Sequence, residues 1–377
     1  MSMAAPDIPA EIVREHVAHL RELMRGEDLA AVLLFNRANM LAFAGTPHVS
    51  TDRVTCGAVT RDGAVVVVCP AFERPMVSGA EAFATVSTWE EHEDPYRCFA
   101  EALAAAGVKS GKLGVDGRIW LEYLHGFAEA LPGMTTQSAE QLLRAVRICK
   151  TPAEQACLRA AHRKGEQVFL ALRDGLMRAG VREVNLCDEV TARFAPAGVH
   201  AVPLIQSGPN GAIPHNPTGT RALQDGDTVV VDSVIRWQGY HNDITRTFAL
   251  GRPSADARRA YRVVREAQAA AIEAARPGVP CRRLDEIARQ IITDAGFGKY
   301  FTHRLGHGMG LEGHEPPYLS GRETEVLRVG HCVTVEPGVY VPGEFGIRIE
   351  DDILITADGC EVIRGELATD VSAAFED

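Results

Sequence analysis

The chain has 377 residues, 46% hydrophobic and 24% charged, which is enough to bury a sizeable core in two domains. Asp and Glu outnumber Lys and Arg by 50 to 39, and the net charge of −11 argues against nucleic acid or an anionic membrane as partner. Nine cysteines without a CxxC pair, no membrane-length apolar run and no signal pattern over residues 1–11 predict a cytoplasmic protein with free thiols.

Residues 8–24 place Ile12, Val13, Val17, Leu20, Leu23 and Met24 at helical spacing. Residues 29–35 read as an apolar strand. Residues 56–60 and 64–69 read as a hairpin across Arg61, Asp62 and Gly63. Then come a helical stretch over 71–78, an extended one over 84–88, a helix over 95–106 and a strand over 112–116. A further helix over 121–131 is stopped by Pro132 and Gly133. Strands alternating with helices predict an α/β domain over residues 1–150. It holds no catalytic cluster, since His92 and His125 stand alone.

A second domain, residues 151–377, is expected to open on Thr151. This residue can cap a helix with Pro152 at its first position and Glu154 completing a capping box. That helix should run to about residue 179, with a second over 182–194, an extended run over 199–207 and an irregular loop carrying His215. Residues 228–231, Thr-Val-Val-Val, end in Asp232. A turn at Gly239 leads into a second extended run carrying Asp243. The pattern predicts a hairpin with Asp232 opposite Asp243, two like charges that repel unless a cation lies between them. Helices follow over 254–275 and 281–295, and residues 301–305 read as extended. Strands over 331–336 and 346–355 bracket residues 337–345 and carry Glu336 and Glu350. Residues 152–249 and 254–356 thus share one order, helix, helix, strand, carboxylate hairpin, which suggests two similar halves enclosing one site.

Between the hairpins stand His303, His307 and His314, with Gly306, Gly308 and Gly310 letting backbone approach closely. Taken singly, each of these carboxylates and imidazoles reads as an ordinary turn or surface residue. Together, four carboxylates and one imidazole beside buried-type strands need pairing or ligation. Mostly oxygen donors suit Mn²⁺, Co²⁺ or Zn²⁺, held as a pair that activates water.

The two-Asp hairpin, the Gly-His-Gly-x-Gly loop around His307, the Val-Glu-Pro-Gly turn at Glu336 and the Arg-Ile-Glu-Asp strand at Glu350 occur in that order. In this the chain resembles the pita-bread metallopeptidases, in particular the prolidase and aminopeptidase P branch. The resemblance covers about residues 150–360, and the α/β domain before it is similar to that branch's N-terminal domain. It implies an α+β pita-bread catalytic domain and two divalent metal ions, manganese first among them. It also implies a homodimer, and hydrolysis of the bond before proline in Xaa-Pro dipeptides by a metal-bridging hydroxide. Position by position, Asp232, Asp243, His307, Glu336 and Glu350 match the metal ligands, with Asp243 and Glu350 bridging. Glu336 also matches the proton shuttle and His215 the histidine that steadies the tetrahedral intermediate. His303 and His314 match pocket histidines, and Arg348 the arginine near the substrate's proline carboxylate. Ser233 and Val234 follow Asp232 where many relatives have a glycine two positions on, which bears on substrate identity. The alternatives are aminopeptidase P activity on longer peptides, hydrolysis of another small amide as in creatinase-like or ectoine-hydrolase-like relatives, and a non-enzymatic peptide-binding module.

Overall fold

A computed structural model of the chain describes residues 8–50, 52–198, 201–368 and 373–375. It divides into two compact units, Met1–Arg147 and Ile148–Asp377. No helix among the described residues is long and apolar enough to cross a membrane. All nine cysteines are free thiols, six of them buried.

The first unit is a six-stranded mixed sheet with helices packed on it. Its strands are β1 (Leu29–Leu34), β2 (Cys56–Thr60), β3 (Val65–Pro70), β4 (Thr85–Trp89), β5 (Gly111–Val115) and β6 (Met134–Ser138), in the order β4-β3-β2-β1-β5-β6. The hairpin partners β2 and β3 are antiparallel, whereas β1 pairs β5 in parallel. The helices are α1 (Ala10–Gly26), α2 (Arg37–Ala44), α3 (Pro95–Ala105), α4 (Leu121–Ala130) and α5 (Glu140–Arg147). Phe99 and Phe127 meet edge to face at 4.9 Å in the core beneath β1 and β5, a contact worth about 1 kcal/mol beyond its buried area. The sequence does not signal α2, because every residue from Ala38 to Ala44 is buried and no polar face sets a period. Its start is nonetheless capped by Asn36, whose side chain accepts from Asn39 N at 2.7 Å. The stretch expected as a helix over 71–78 is a 3₁₀ run, Ala71–Ala82, with Pro75 inside it.

The second unit opens on α6 (Pro152–Ala171), where Thr151 and Glu154 form the expected capping box. The helix ends earlier than expected. A wide final turn, Leu172–Leu176, is broken at Gly175, whose φ is 117°. Then follow α7 (Glu183–Phe194) and three antiparallel strands, β7 (Leu204–Ser207), β8 (Thr228–Trp237) and β9 (Tyr240–Ala249). Of the extended run expected over 199–207, residues 199 and 200 lie outside the described residues. Helices α8 (Ala255–Ala274) and α9 (Cys281–Asp294) lead into β10 (Gly306–Gly308), β11 (Glu315–Leu319), β12 (Cys332–Val335), β13 (Gly338–Val341), β14 (Phe345–Arg348), β15 (Asp351–Ile355) and β16 (Cys360–Val362). Residues 301–305, expected to be extended, form no strand, and β10 starts just after them.

The strand expected over 346–355 is two strands. β14 pairs only with β13, whereas β15 joins a five-stranded sheet, β11-β10-β12-β15-β16. The chain crosses from one to the other through Ile349 and Glu350. Two apolar layers support this frame. Val168, Phe169, Leu186 and Val190 of α6 and α7 pack on Ile205, Val229, Val231 and Ile244. Val264, Leu284, Ala288 and Ile292 of α8 and α9 pack on Val333, Val335, Ile347 and Ile353.

His162 on α6 is 2% exposed and donates from Nε2 to the carbonyl of Ile363, while its Nδ1 is buried without a partner. Burial pushes its pKa down to about 4. Between that value and the ordinary 6.5 the unfolded chain binds the extra proton and the native one does not. The stabilisation is complete above pH ~6.5, and at most about 3 kcal/mol of it is lost as pH falls toward 4. Urea midpoints at pH 7 and 4.5 should therefore separate more for the native chain than for His162→Gln. An equal separation would refute the assignment.

Candidate metal centre

β8 and β9 are joined by Gln238 and Gly239, both at positive φ, 50° and 80°, the two-residue turn that suits a right-handed hairpin. This turn sets the register. Asp232 pairs with Thr245 and Asp243 with Val234. The two aspartates are therefore not directly opposite, as expected, but diagonal neighbours on one face, within reach of a shared ligand. Glu336 follows β12 and Glu350 precedes β15, and the pairing of Val335 with Asp351 puts the two glutamates abreast at the end of that ladder. A bridge from Glu350 N to Thr245 O, 3.0 Å, joins the ladder to β9.

His307 sits on β10 between Gly306 and Gly308. A Cβ on Gly306 would strike the backbone oxygen of Thr334, and one on Gly308 the backbone oxygen of Pro316. Only glycine permits this packing, which brings the imidazole against the carboxylates. His307 Nδ1 lies 3.1 Å from Gly308 O and must donate to it, so Nε2 faces inward. Nε2 is 3.3 Å from Glu336 Oε1 and 3.8 Å from Asp243 Oδ2.

Ligand atoms of Asp243, His307 and Glu350 all lie within 4.8 Å of one another, and the three residues are buried. Glu336 joins them through His307 and accepts from Thr334 Oγ1 at 3.3 Å. Asp232 is turned toward Arg348, which donates from Nη2 at 2.7 Å.

The electrostatics fit a cation. Burial, then the charges of Asp232, Asp352 and Glu336, hold the Asp243 carboxyl well above the usual range. Burial, then Asp243 and Glu336, do the same to Glu350. At Glu336 burial acts in the same direction, but the His307 imidazole outweighs it by hydrogen bond and charge and holds the group at about 2. Asp243 Oδ1 is buried with no hydrogen-bond partner. A buried carboxylate oxygen left bare among other carboxylates is costly unless protonated or ligating. The donor set, oxygen-rich with one imidazole and no thiolate, suits a hard or borderline divalent ion.

Arg348 departs from expectation. It donates to Asp232, to Tyr340 OH (3.0 Å), to Thr245 Oγ1 (3.2 Å) and to Pro214 O (3.4 Å), and its side chain is 3% exposed. These four contacts turn the guanidinium toward Asp232 and the protein interior. His303 donates from Nδ1 to Arg304 O at 2.7 Å, so its Nε2 accepts from Tyr340 OH at 2.9 Å. Burial pushes the His303 pKa down, and it pushes the Tyr340 phenol up to about 12. His314 reaches solvent, with its ring 3.9 Å from that of His307. Partial desolvation, then the His307 charge, push it down to about 4. His215 is exposed on the loop after Gly208–Ala212, near enough for its charge to act on both His303 and His314.

Residues outside the expected set hold this arrangement. Glu183, fully buried, accepts from Ser207 N (2.7 Å), Asn210 Nδ2 (3.0 Å) and Gly219 N (2.9 Å), which fixes both ends of the His215 loop. Asp352 accepts from Asp243 N at 3.1 Å. Thr245 donates to Glu350 Oε2 at 2.7 Å. The sequence gives a partial signal for Asp352 alone, a third acid in the run after Ile349. His241 supports the glycine loop by donating to Gly310 O at 3.1 Å.

Comparison with known proteins agrees with this picture. Residues 156–357 match Metallopeptidase family M24, and residues 16–149 match the Creatinase/Prolidase N-terminal domain. A probable dipeptidase, PepE, from Mycobacterium tuberculosis is 32% identical over 363 residues, spanning 95% of this chain and 96% of that protein. A dipeptidase from Pyrococcus horikoshii superposes with a TM-score of 0.84 at 29% identity, covering 94% of this chain and 99% of that one. An Xaa-Pro dipeptidase from Bacillus anthracis gives 0.83 at 28% identity, covering 94% and 98%.

Proposed function

Since the chain belongs to metallopeptidase family M24, with a creatinase-type N-terminal domain before a pita-bread catalytic domain, it is a metal-dependent peptidase, and we propose that it hydrolyses the bond before proline in Xaa-Pro dipeptides at a dinuclear centre. The observation that carries this reading is the convergence of Asp243, His307 and Glu350, with Glu336 in contact and Asp232 on the adjoining strand. In this reading Asp232, Asp243, His307, Glu336 and Glu350 would hold the two ions. Bound there, two divalent ions supply a Lewis acid and acidify a water enough for it to attack at neutral pH.

The protein's own groups do the rest. Glu336, oriented by Thr334, takes a proton from the attacking water and delivers it to the proline nitrogen. That nitrogen belongs to a tertiary amide with no N–H, so the site needs no acceptor opposite it. His215 and His314 donate to the substrate carbonyl oxygen as negative charge builds on it. His303, tied through Tyr340 to Arg348, shapes the pocket wall and keeps Asp232 aimed inward. Manganese as the working ion, a cytoplasmic location and a homodimer belong to the same proposal.

A substrate panel with added Mn²⁺ tests it. Xaa-Pro dipeptides should exceed Xaa-Ala dipeptides, Xaa-Pro-Xaa tripeptides and small cyclic amides by at least ~10-fold in kcat/KM, the scale on which a shaped apolar pocket discriminates. A tripeptide preference would move the assignment to aminopeptidase P. Faster cleavage of Xaa-Ala would remove proline from it, and cyclic-amide turnover alone would replace peptides altogether.

A further inference from the structure

His307, the candidate imidazole ligand, rides on a strand that its own sequence does little to hold. β10 is three residues long, Gly306–Gly308, and its register against β11 slips between His307 and Gly308. The residues on either side of His307 are glycines, which lose the most freedom on ordering and offer no side chain to pack. The strand is held by its neighbours, Gly308 pairing with Glu315 of β11 and with Val333 of β12. Where β11 and β12 stand therefore decides where the imidazole stands.

One residue reaches both neighbours. Lys150, near the start of the second unit, lies just before α6. Its backbone N–H donates at 2.7 Å to the carbonyl of Gly330, shortly before β12 begins. Its Nζ donates at 2.7 Å to Oε1 of Glu315, the first residue of β11, and at 3.4 Å to Ile148 O. The two side chains of this ion pair are 1% and 5% exposed. The start of β11 and the approach to β12 are thus fixed to one point. The fit is close. A Cβ on Gly310 would stand 2.7 Å from Glu315 Oε1 and 2.9 Å from Lys150 Cε, and one on Gly330 would stand 3.0 Å from Lys150 O. Gly310 O also accepts from His241 N at 2.8 Å, which links the glycine loop to β9, the strand of Asp243. A buried ion pair gains little stability over apolar residues of the same volume, because desolvation offsets the attraction. What a short charge-assisted bond does supply is a fixed distance. Neither Lys150 nor Glu315 belongs to the candidate ligand set, so the pair acts on that set through the backbone it holds.

Resting on the metal-centre reading above, we propose that Lys150 and Glu315 form a positioning clamp, which fixes β10 between β11 and β12 and so sets the His307 imidazole in place before an ion binds. The test combines Lys150→Met with Glu315→Met, which keeps the buried volume and removes both charges. The metal-free melting temperature of this double variant should stay close to native. Its Mn²⁺ affinity, read from the electron paramagnetic resonance of the free ion, should fall about 10- to 100-fold, the usual cost of losing a group that orients a ligand from behind. Amide hydrogen exchange in chelator should quicken over residues 306–310 while α8 and α9 stay protected. Native Mn²⁺ affinity in the double variant, or native exchange over 306–310, would overturn the proposal. So would a loss of protection spread evenly through the unit with a matching fall in melting temperature, which would make the pair a general stabiliser. If the double variant does not fold, Glu315→Gln keeps the shape and an acceptor for Lys150 and should show the same two shifts on a smaller scale. A native protein that takes up no Mn²⁺ would sink the metal reading instead, and exchange in chelator would still decide whether the pair holds β10.

Discussion

Asp243→Asn is expected to abolish metal-dependent turnover and, at the same time, to make the metal-free protein harder to unfold. The two effects share one cause. Asp243 is 4% exposed, its Oδ1 has no hydrogen-bond partner, and burial together with Asp232, Asp352 and Glu336 resists its ionisation. Its folded pKa lies above the unfolded value, so at neutral pH the charged form opposes folding. A neutral amide of the same shape removes that opposition, and the Asp243 backbone N–H keeps its bond to Asp352. With metal the balance reverses. On the proposed reading a cation would turn the repulsive cluster into ligands, and loss of Asp243 should then cost activity about a thousand-fold or more, since such ions supply several kcal/mol and each 1.36 kcal/mol is tenfold. Calorimetry with chelator and with Mn²⁺ reads both effects. The native protein should gain melting temperature on Mn²⁺ addition, because the ion binds the folded state alone, and the variant should not. A metal-free variant less stable than the metal-free native protein would contradict the account, and so would a variant that keeps the Mn²⁺ shift.

Glu336→Gln should lower kcat by about 10²- to 10⁴-fold, the usual contribution of a positioned general acid–base group. KM should stay near native, and metal content should fall by no more than the one ion that Glu336 would help to hold. Glutamine retains an acceptor for Thr334 Oγ1 and fills the same space beside His307, so the fold and most of the ligation survive while the proton carrier is lost. Metal analysis and steady-state kinetics on one preparation separate these terms. If more than about a tenth of kcat remained, proton transfer would have to be assigned to another group.

The placement of the candidate ligands was legible in the sequence where local chemistry alone decides the outcome. A β-branched run ending in a carboxylate fixes a strand and the position of its acid, which holds for Asp232 on β8 and Glu336 after β12. Glycines on both sides of His307 mark backbone that must approach other backbone, and Thr334 and Pro316 are what it approaches. Whatever depended on register or partner choice was not legible. The diagonal offset of Asp232 and Asp243 follows from a turn centred between Gln238 and Gly239, and glutamine at positive φ carries no compositional signal. The partner of Arg348 depends on β8 and β14 meeting in space, which no spacing reports. The edge strand β6 went unread because its Thr, Gln and Ser side chains are largely exposed and show no apolar alternation. Glu183, remote from every motif, reads as a surface acid until the His215 loop is seen folded around it.

Ile349 and Glu350 form the seam where the chain leaves one sheet for another, with Arg348 on one side and the Glu350 carboxylate on the other. This has a consequence for how the sequence can change length. A single residue gained or lost between Phe345 and Asp352 would turn either the guanidinium or the carboxylate to the opposite face, with no neighbouring slack to absorb it, since every residue there is buried. The tip of the β13–β14 hairpin, Pro342, Gly343 and Glu344, is exposed, with Gly343 at φ 76°. Grafted peptides or reporter tags belong at that tip, a few residues from the candidate ligands in sequence yet outside the frame that aims them.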